Sequence, residues 1–205
     1  MVGTGRPARL ARLGTSLLRP LPCFEHSPGG LVNISKVLIS EEEIRTKLAE
    51  MGKQITADYA GKDLLMVGVL KGAFIVMADL ARHIDVPVEF DFMAVSSYGA
   101  ATQTSGVVRI LKDLDQEIAG RDVLIVEDII DSGLTLSYLL KSLRVRRPAS
   151  LELAALLVKK GIQSVPVDVK YTGFEIGPEF VVGYGLDYAG KFRNLPYVGV
   201  MEEPS

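Results

Sequence analysis

The sequence predicts an α/β fold, a mainly parallel twisted sheet with helices on both faces. Three observations predict it. Apolar runs such as LLMVGVL (64–70) and DVLIVE (122–127) read as buried strands. Segments with helical spacing of apolar residues alternate with them, the pattern of strand–helix–strand units. Glycine-containing or polar motifs then fall where several of these strands end, and in such sheets ligands gather at the carboxyl ends of the strands.

The elements follow in order. Ser40-Glu41-Glu42-Glu43 is a capping box, in which Ser40 caps a helix and Glu43 reaches back to it. Ile44, Leu48, Met51, Ile55 and Tyr59 recur on one face of that helix, and Gly61 can close it. Strand 64–70 leads through Lys71-Gly72 into a helix over AFIVMADLARH (73–83). VEFDFMAV (88–95) and VVRIL (107–111) are strands on either side of the polar stretch SSYGAATQTSG (96–106). KDLDQE (112–117) reads as a solvated turn. Strand 122–127, a helix over LTLSYLLKSLRV (134–145) and a strand over LELAALLV (151–158) come next. VDVKYTG, FVVGY and YVGV make the C-terminal third rich in strands.

Composition narrows the function. No apolar run approaches the ~20 residues that span a bilayer, so no membrane partner is expected. The single cysteine, Cys23, forms no intrachain disulfide and suits a reducing compartment, so a cytoplasmic protein is expected. His26 and His83 are the two histidines, and without Cys or His clusters a zinc site of the usual kind is not expected. Residues 1–24 hold Arg6, Arg9, Arg12 and Arg19 and no acid, which leaves 19 basic against 25 acidic residues in the remainder, a net of −6. A body that acidic is a poor binder of nucleic-acid backbones. Residues 1–30 differ from the rest: a targeting segment, a disordered tail and an upstream start site are the three readings. The domain itself is expected over 31–205.

The stretch VLIVEDIIDSGLTL (123–136) carries the chemistry. Glu127, Asp128 and Asp131 repel one another at a buried strand end, so a positive or hydroxyl-rich ligand should meet them. Beyond them the chain turns through Ser132-Gly133 into a helix, whose uncapped N–H groups favour an anion such as phosphate. Gly133 lets the backbone approach, and Ser132 and Thr135 add hydroxyl donors. The Walker pattern is absent. Glu127 and Asp128 suit two neighbouring ribose hydroxyls. Phosphate on the loop and ribose on the acids describe a 5-phosphoribosyl group.

Here the sequence resembles the purine phosphoribosyltransferases, in their hypoxanthine-guanine branch of bacterial type. The likeness runs from about Ile34 to Val200 through VLKGAF (69–74), SSYG (96–99), VLIVEDIIDSGLTL, LLVKK (156–160) and FVVGYGLDY (180–188). It implies the type I phosphoribosyltransferase fold with a small C-terminal hood. It implies transfer of 5-phosphoribose from phosphoribosyl pyrophosphate to hypoxanthine or guanine, giving IMP or GMP and pyrophosphate. Two alternatives stand beside it: xanthine or another oxopurine as acceptor, and a regulator on the same fold that senses phosphoribosyl pyrophosphate and binds nucleic acid.

The resemblance also implies roles. Asp131 faces N7 of the purine as the base, or caps the following helix. Glu127 and Asp128 bind the ribose hydroxyls near Mg²⁺, and Asp187 approaches a second Mg²⁺. Asp131, Ser132, Gly133, Leu134 and Thr135 cradle the 5-phosphate, and Leu134 stands where some members carry a polar residue. Lys71 and Gly72 form the pyrophosphate loop with a non-proline cis peptide, and Arg193 contacts the pyrophosphate; an ion pair between Asp187 and Arg193 is the other reading of those two. Ser97, Tyr98 and Gly99 open a lid. Lys159 meets O6 of the purine, and Val181 its Watson–Crick side by backbone. Phe180 either stacks on the purine or packs in the core. A homodimer or homotetramer is expected.

Overall fold

A computed structural model of the chain describes residues 34–97 and 108–202. Residues 1–30, and Tyr98 and Gly99 of the expected lid, lie outside the described residues. The elements are β1 (Ile34–Ile39), α1 (Glu41–Asp58), β2 (Leu64–Leu70), α2 (Ala73–Ala81), β3 (Val88–Ser97), β4 (Val108–Lys112), β5 (Asp122–Ile130), α3 (Leu134–Arg144), β6 (Ser150–Lys159), β7 (Tyr171–Ile176), β8 (Val181–Val182) and β9 (Val198–Met201).

Helix α1 starts where its sequence says. The Glu43 amide donates to Ser40 Oγ, and the Ser40 amide donates to Glu43 Oε2 at 2.8 Å. Ile44, Leu48, Met51, Ile55 and Tyr59 are all buried. The main sheet has the order β4-β3-β2-β5-β6-β7. Its pairs are parallel except β3 with β4, which are antiparallel at the edge.

Strand periodicity explains why these runs are apolar throughout. In β2, Leu64 and Met66 point into one core with α1 and α2, while Leu65 and Val67 point into another with α3. The same split divides Leu124 and Val126 from Val123 and Ile125 in β5. A strand covered on both faces has no solvent side to leave polar. Each fully buried Leu or Ile contributes roughly 1.5–3 kcal/mol from desolvation.

A second sheet, β1-β9-β8, forms the hood. It draws β1 from before the main sheet as well as the C-terminal strands, and encloses a small core with Ile34, Val182, Phe192, Leu195 and Met201. Three local readings need correction. The FVVGY strand is only Val181–Val182, because Gly183 at φ 98° turns the chain away. The strand read over 167–173 begins at Tyr171, where pairing with Ala154 starts. The 112–117 segment is not simply solvated: Lys112 Nζ lies 3.4 Å from the buried Asp91 carboxylate, which also accepts from the Asp115 amide at 2.8 Å.

Chain order reverses beside β2. The chain leaves it for β3 on one side and resumes with β5, β6 and β7 on the other, so the switch point lies between β2 and β5. A crevice opens there by topology alone.

Removing the α1 cap tests the local account. Ser40→Ala should lower the unfolding free energy by about 1 kcal/mol, read by urea denaturation.

Candidate active site

The switch point gathers residues from separate segments. Lys71 and Gly72 follow β2, Glu127 and Asp128 lie in β5, Asp131 to Thr135 form the turn into α3, and Lys159 ends β6. The Leu70–Lys71 peptide is cis. Gly72 lies so close to β5 that an added Cβ would overlap the Asp128 carboxylate. Only glycine fits there.

Strand β5 runs three residues beyond the expected Glu127, to Ile130. The two acids therefore sit within the sheet, and Glu127 pairs in register with Ala155 of β6. Burial pushes the Glu127 carboxyl well above the ordinary range, and the neighbouring Asp128 charge adds to this. Asp128 is also raised, first by burial; the Ile129 amide, donating at 3.0 Å, and the charge of Arg193 partly offset the shift. Both shifts have the same physical cause, since close carboxyls with little water around them resist ionising.

Past β5 the chain turns at Gly133, whose φ of 78° is left-handed. Gly133 has no side chain to cap α3, and the first turn of the helix holds no acid. The N–H end of α3 is thus left for an anion. The turn is held from behind: the Ser164 and Val165 amides donate to the Ser132 carbonyl at 3.0 and 3.2 Å. Leu134 and Thr135 are half-buried in the first turn. Asp131 is exposed, and its Oδ2 lies 3.8 Å from Nζ of the buried Lys159. The expected base and the expected O6 contact therefore face the same space.

The hood completes the surroundings. Phe180 is 43% exposed and meets the Tyr188 ring edge-on at 6.0 Å between centroids, so its reading as a core residue does not hold. Val181 is buried and pairs with Val200. Asp187 and Arg193 form an ion pair at 2.5 Å, and the Arg193 guanidinium also donates to the Gly185 carbonyl. Ser97 ends β3. Two contacts had no signal in the motifs: Gly185 approaches the Gly72 carbonyl, and residues 164–165 brace the Ser132 turn.

Among the described residues no three His, Cys, Asp or Glu side chains gather as a ready metal cage. No described helix is long and apolar enough to cross a membrane.

The buried pair has a consequence for stability. A carboxyl raised in the folded state contributes fully below its unfolded pKa, and that contribution is lost as pH rises through the folded value. Metal-free Glu127→Gln, which has no proton to lose, should therefore gain thermal stability over the parent as pH rises from 5 to 8. Melting with a chelator present reads this, and the gap should widen by a few degrees; a gap independent of pH contradicts the assignment.

Comparison with known proteins agrees with this geometry. A model of the phosphoribosyl transferase domain matches residues 38–189. A hypoxanthine-guanine phosphoribosyltransferase of Mycobacterium avium is 50% identical over 194 residues, covering 92% of this chain and 94% of that protein. One of Bacillus subtilis is 54% identical over 170 residues, covering 83% of this chain and 94% of its own. The crystal structure of a hypoxanthine phosphoribosyltransferase from Staphylococcus aureus superposes with a TM-score of 0.80 at 46% identity, covering 82% of this chain and 92% of that one. Glu127 and Asp128 at the switch point, the helix end after them and the lysine facing the turn thus stand in a chain that belongs to the phosphoribosyl transferase family.

Proposed function

We propose that the protein transfers 5-phosphoribose from phosphoribosyl pyrophosphate to hypoxanthine or guanine, releasing pyrophosphate. The observation that carries this is the turn from Asp131 to Thr135, which offers an uncapped helix end beside the buried Glu127 and half-buried Asp128 carboxylates and opposite Lys159. Phosphate suits the helix end, ribose hydroxyls suit the carboxylates, and one edge of a 6-oxopurine suits Asp131 and Lys159 side by side. The relatives' names support the acceptor.

In this reading the C1′–O bond to pyrophosphate breaks and a bond from C1′ to purine N9 forms. The proton on purine N7 passes to Asp131, or is shared with it. Lys159 donates to O6, a contact that the amino group of adenine would not accept. Phe180 offers an exposed ring for stacking, and the backbone at Val181 meets the purine edge. Lys71, Gly72 and Arg193 hold the departing pyrophosphate, for which a planar guanidinium suits paired phosphate oxygens. The segment opened by Ser97, Tyr98 and Gly99 would exclude water from a carbon with oxocarbenium character.

The donor set fits Mg²⁺. Glu127, Asp128 and Asp187 supply hard oxygens, and Mg²⁺ takes one or two carboxylates plus substrate oxygens rather than a full protein cage. Bound there, Mg²⁺ would neutralise pyrophosphate charge as it leaves. The same reading makes the protein a cytoplasmic homodimer or homotetramer, supported by its single cysteine and its family.

Incubation with the donor, Mg²⁺ and each of hypoxanthine, guanine, xanthine and adenine tests the function. Nucleotide from the first two and none from adenine is expected; product from xanthine alone would move the acceptor. Asp131→Asn should lower kcat by ~10²–10⁴-fold, with donor affinity largely kept. Light scattering should give two or four times the 22.2 kDa of one chain.

A further inference from the structure

The turn that carries Asp187 and Arg193 has an unusual backbone. Of the described non-glycine residues at positive φ, Tyr184 (50°), Ala189 (50°) and Phe192 (75°) all lie within it, and only Arg147 lies elsewhere. A bulky residue in that region is uncommon, and such conformations persist only where surrounding contacts impose them. For Tyr184 those contacts come from both backbone and side chain. Its amide donates to the Leu195 carbonyl at 2.9 Å, and the next amide, of Gly185, donates to the Arg193 carbonyl at 3.0 Å. Its side chain is buried, and its hydroxyl donates to Asp79 Oδ2 at 2.6 Å. Burial and this bond to a carboxylate both push the phenol well above its usual range, so the hydroxyl stays a donor.

Asp79 lies in α2, the helix that begins directly after Gly72. At the start of that helix, Gly185 stands so close to the Gly72 carbonyl that a Cβ there would overlap it. Two contacts therefore join α2 to the turn. One is at the pyrophosphate loop itself, between Gly72 and Gly185. The other, between Asp79 and Tyr184, is further along the helix. A single contact would leave the two parts free to pivot; two fix both separation and angle. The guanidinium of Arg193 donates to the carbonyl of Gly185, so its position follows that of the same turn.

We infer that Tyr184 and Asp79 are positioning residues, whose hydrogen bond sets the distance between the Lys71-Gly72 loop and Arg193 and so tunes the grip on pyrophosphate. The inference rests on the function proposed above. Neither residue needs to touch substrate. A purely structural bond would change stability, or affect both substrates alike. A positioning bond acts chiefly at one end of the site: Lys159 and the Asp131 turn belong to β6 and to the start of α3, which the clamp does not join, and Phe180 touches the turn at the edge of Tyr188.

Steady-state kinetics of Tyr184→Phe, Asp79→Ala, Asp79→Asn and the double variant Tyr184→Phe/Asp79→Ala test it, with calorimetry of Mg²⁺-pyrophosphate. Tyr184→Phe and Asp79→Ala should each raise KM for phosphoribosyl pyrophosphate, and Kd for pyrophosphate, about tenfold, since small misplacements of a binding group are costly. The purine KM should rise clearly less than the donor KM, the double variant should be no worse than either single one, and Asp79→Asn, whose amide oxygen still accepts the bond, should approach the parent. The Asp79 side chain is 40% exposed, so its variants are expected to fold even if Tyr184→Phe does not. An unchanged donor KM, an equal rise in purine KM, or an Asp79→Asn variant as impaired as Asp79→Ala would overturn the inference. A parent protein that binds neither the donor nor pyrophosphate would instead overturn the proposed function, and this inference with it.

Discussion

Two adjacent carboxylates, Glu127 buried and Asp128 half-buried, lie side by side near the end of a strand in the middle of a parallel sheet. Everything around them is arranged so that this is tolerable and useful. Asp128 accepts from the Ile129 amide, burial raises the Glu127 carboxyl, and Gly72 approaches as only a residue without a side chain can. Holding two acids close together with little water costs stability. Such costs persist where a ligand offsets them, and a ligand that brings hydroxyls and cations would do so. The pair is thus the point at which folding and binding are set against each other.

The rest of the site depends on topology. Chain reversal between β2 and β5 opens the crevice, with Gly72 after β2 and the left-handed Gly133 after β5 on its two sides. Backbone donors do not depend on side-chain rotamers, which suits a site that must hold several phosphates at once. Side chains enter where selectivity is needed: Lys159 and Asp131 face each other at 3.8 Å, and Phe180 presents an open ring.

Much of this was legible in the sequence because it is local. The Ser40 cap, the α1 stripe from Ile44 to Tyr59, the buried strands and the acid-to-glycine turn each occupy a single short stretch, and the structure has all of them. What escaped is non-local. Nothing in KDLDQE signals that Asp115 and Lys112 would close on Asp91, which lies in another strand. The short β8 failed for a related reason: Val181-Val182 carries strand chemistry onward into GYGLDY, but tertiary contacts bend the chain at Gly183. The contacts of Gly72 with Asp128 and Gly185, and of Tyr184 with Asp79, span many residues and leave no periodic trace. Phe180 had two readings in the sequence, and only its exposure in the fold separates them.

The carboxylate pair and the glycine pressed against it form the proposed seat of an activated pentose. Titration calorimetry of phosphoribosyl pyrophosphate with Mg²⁺ tests it most directly, comparing the parent with Gly72→Ala. Saturable binding at one site per chain, abolished when a methyl group is forced against Asp128, is the predicted result. Absence of binding in the parent, or undiminished binding in the variant, would contradict it.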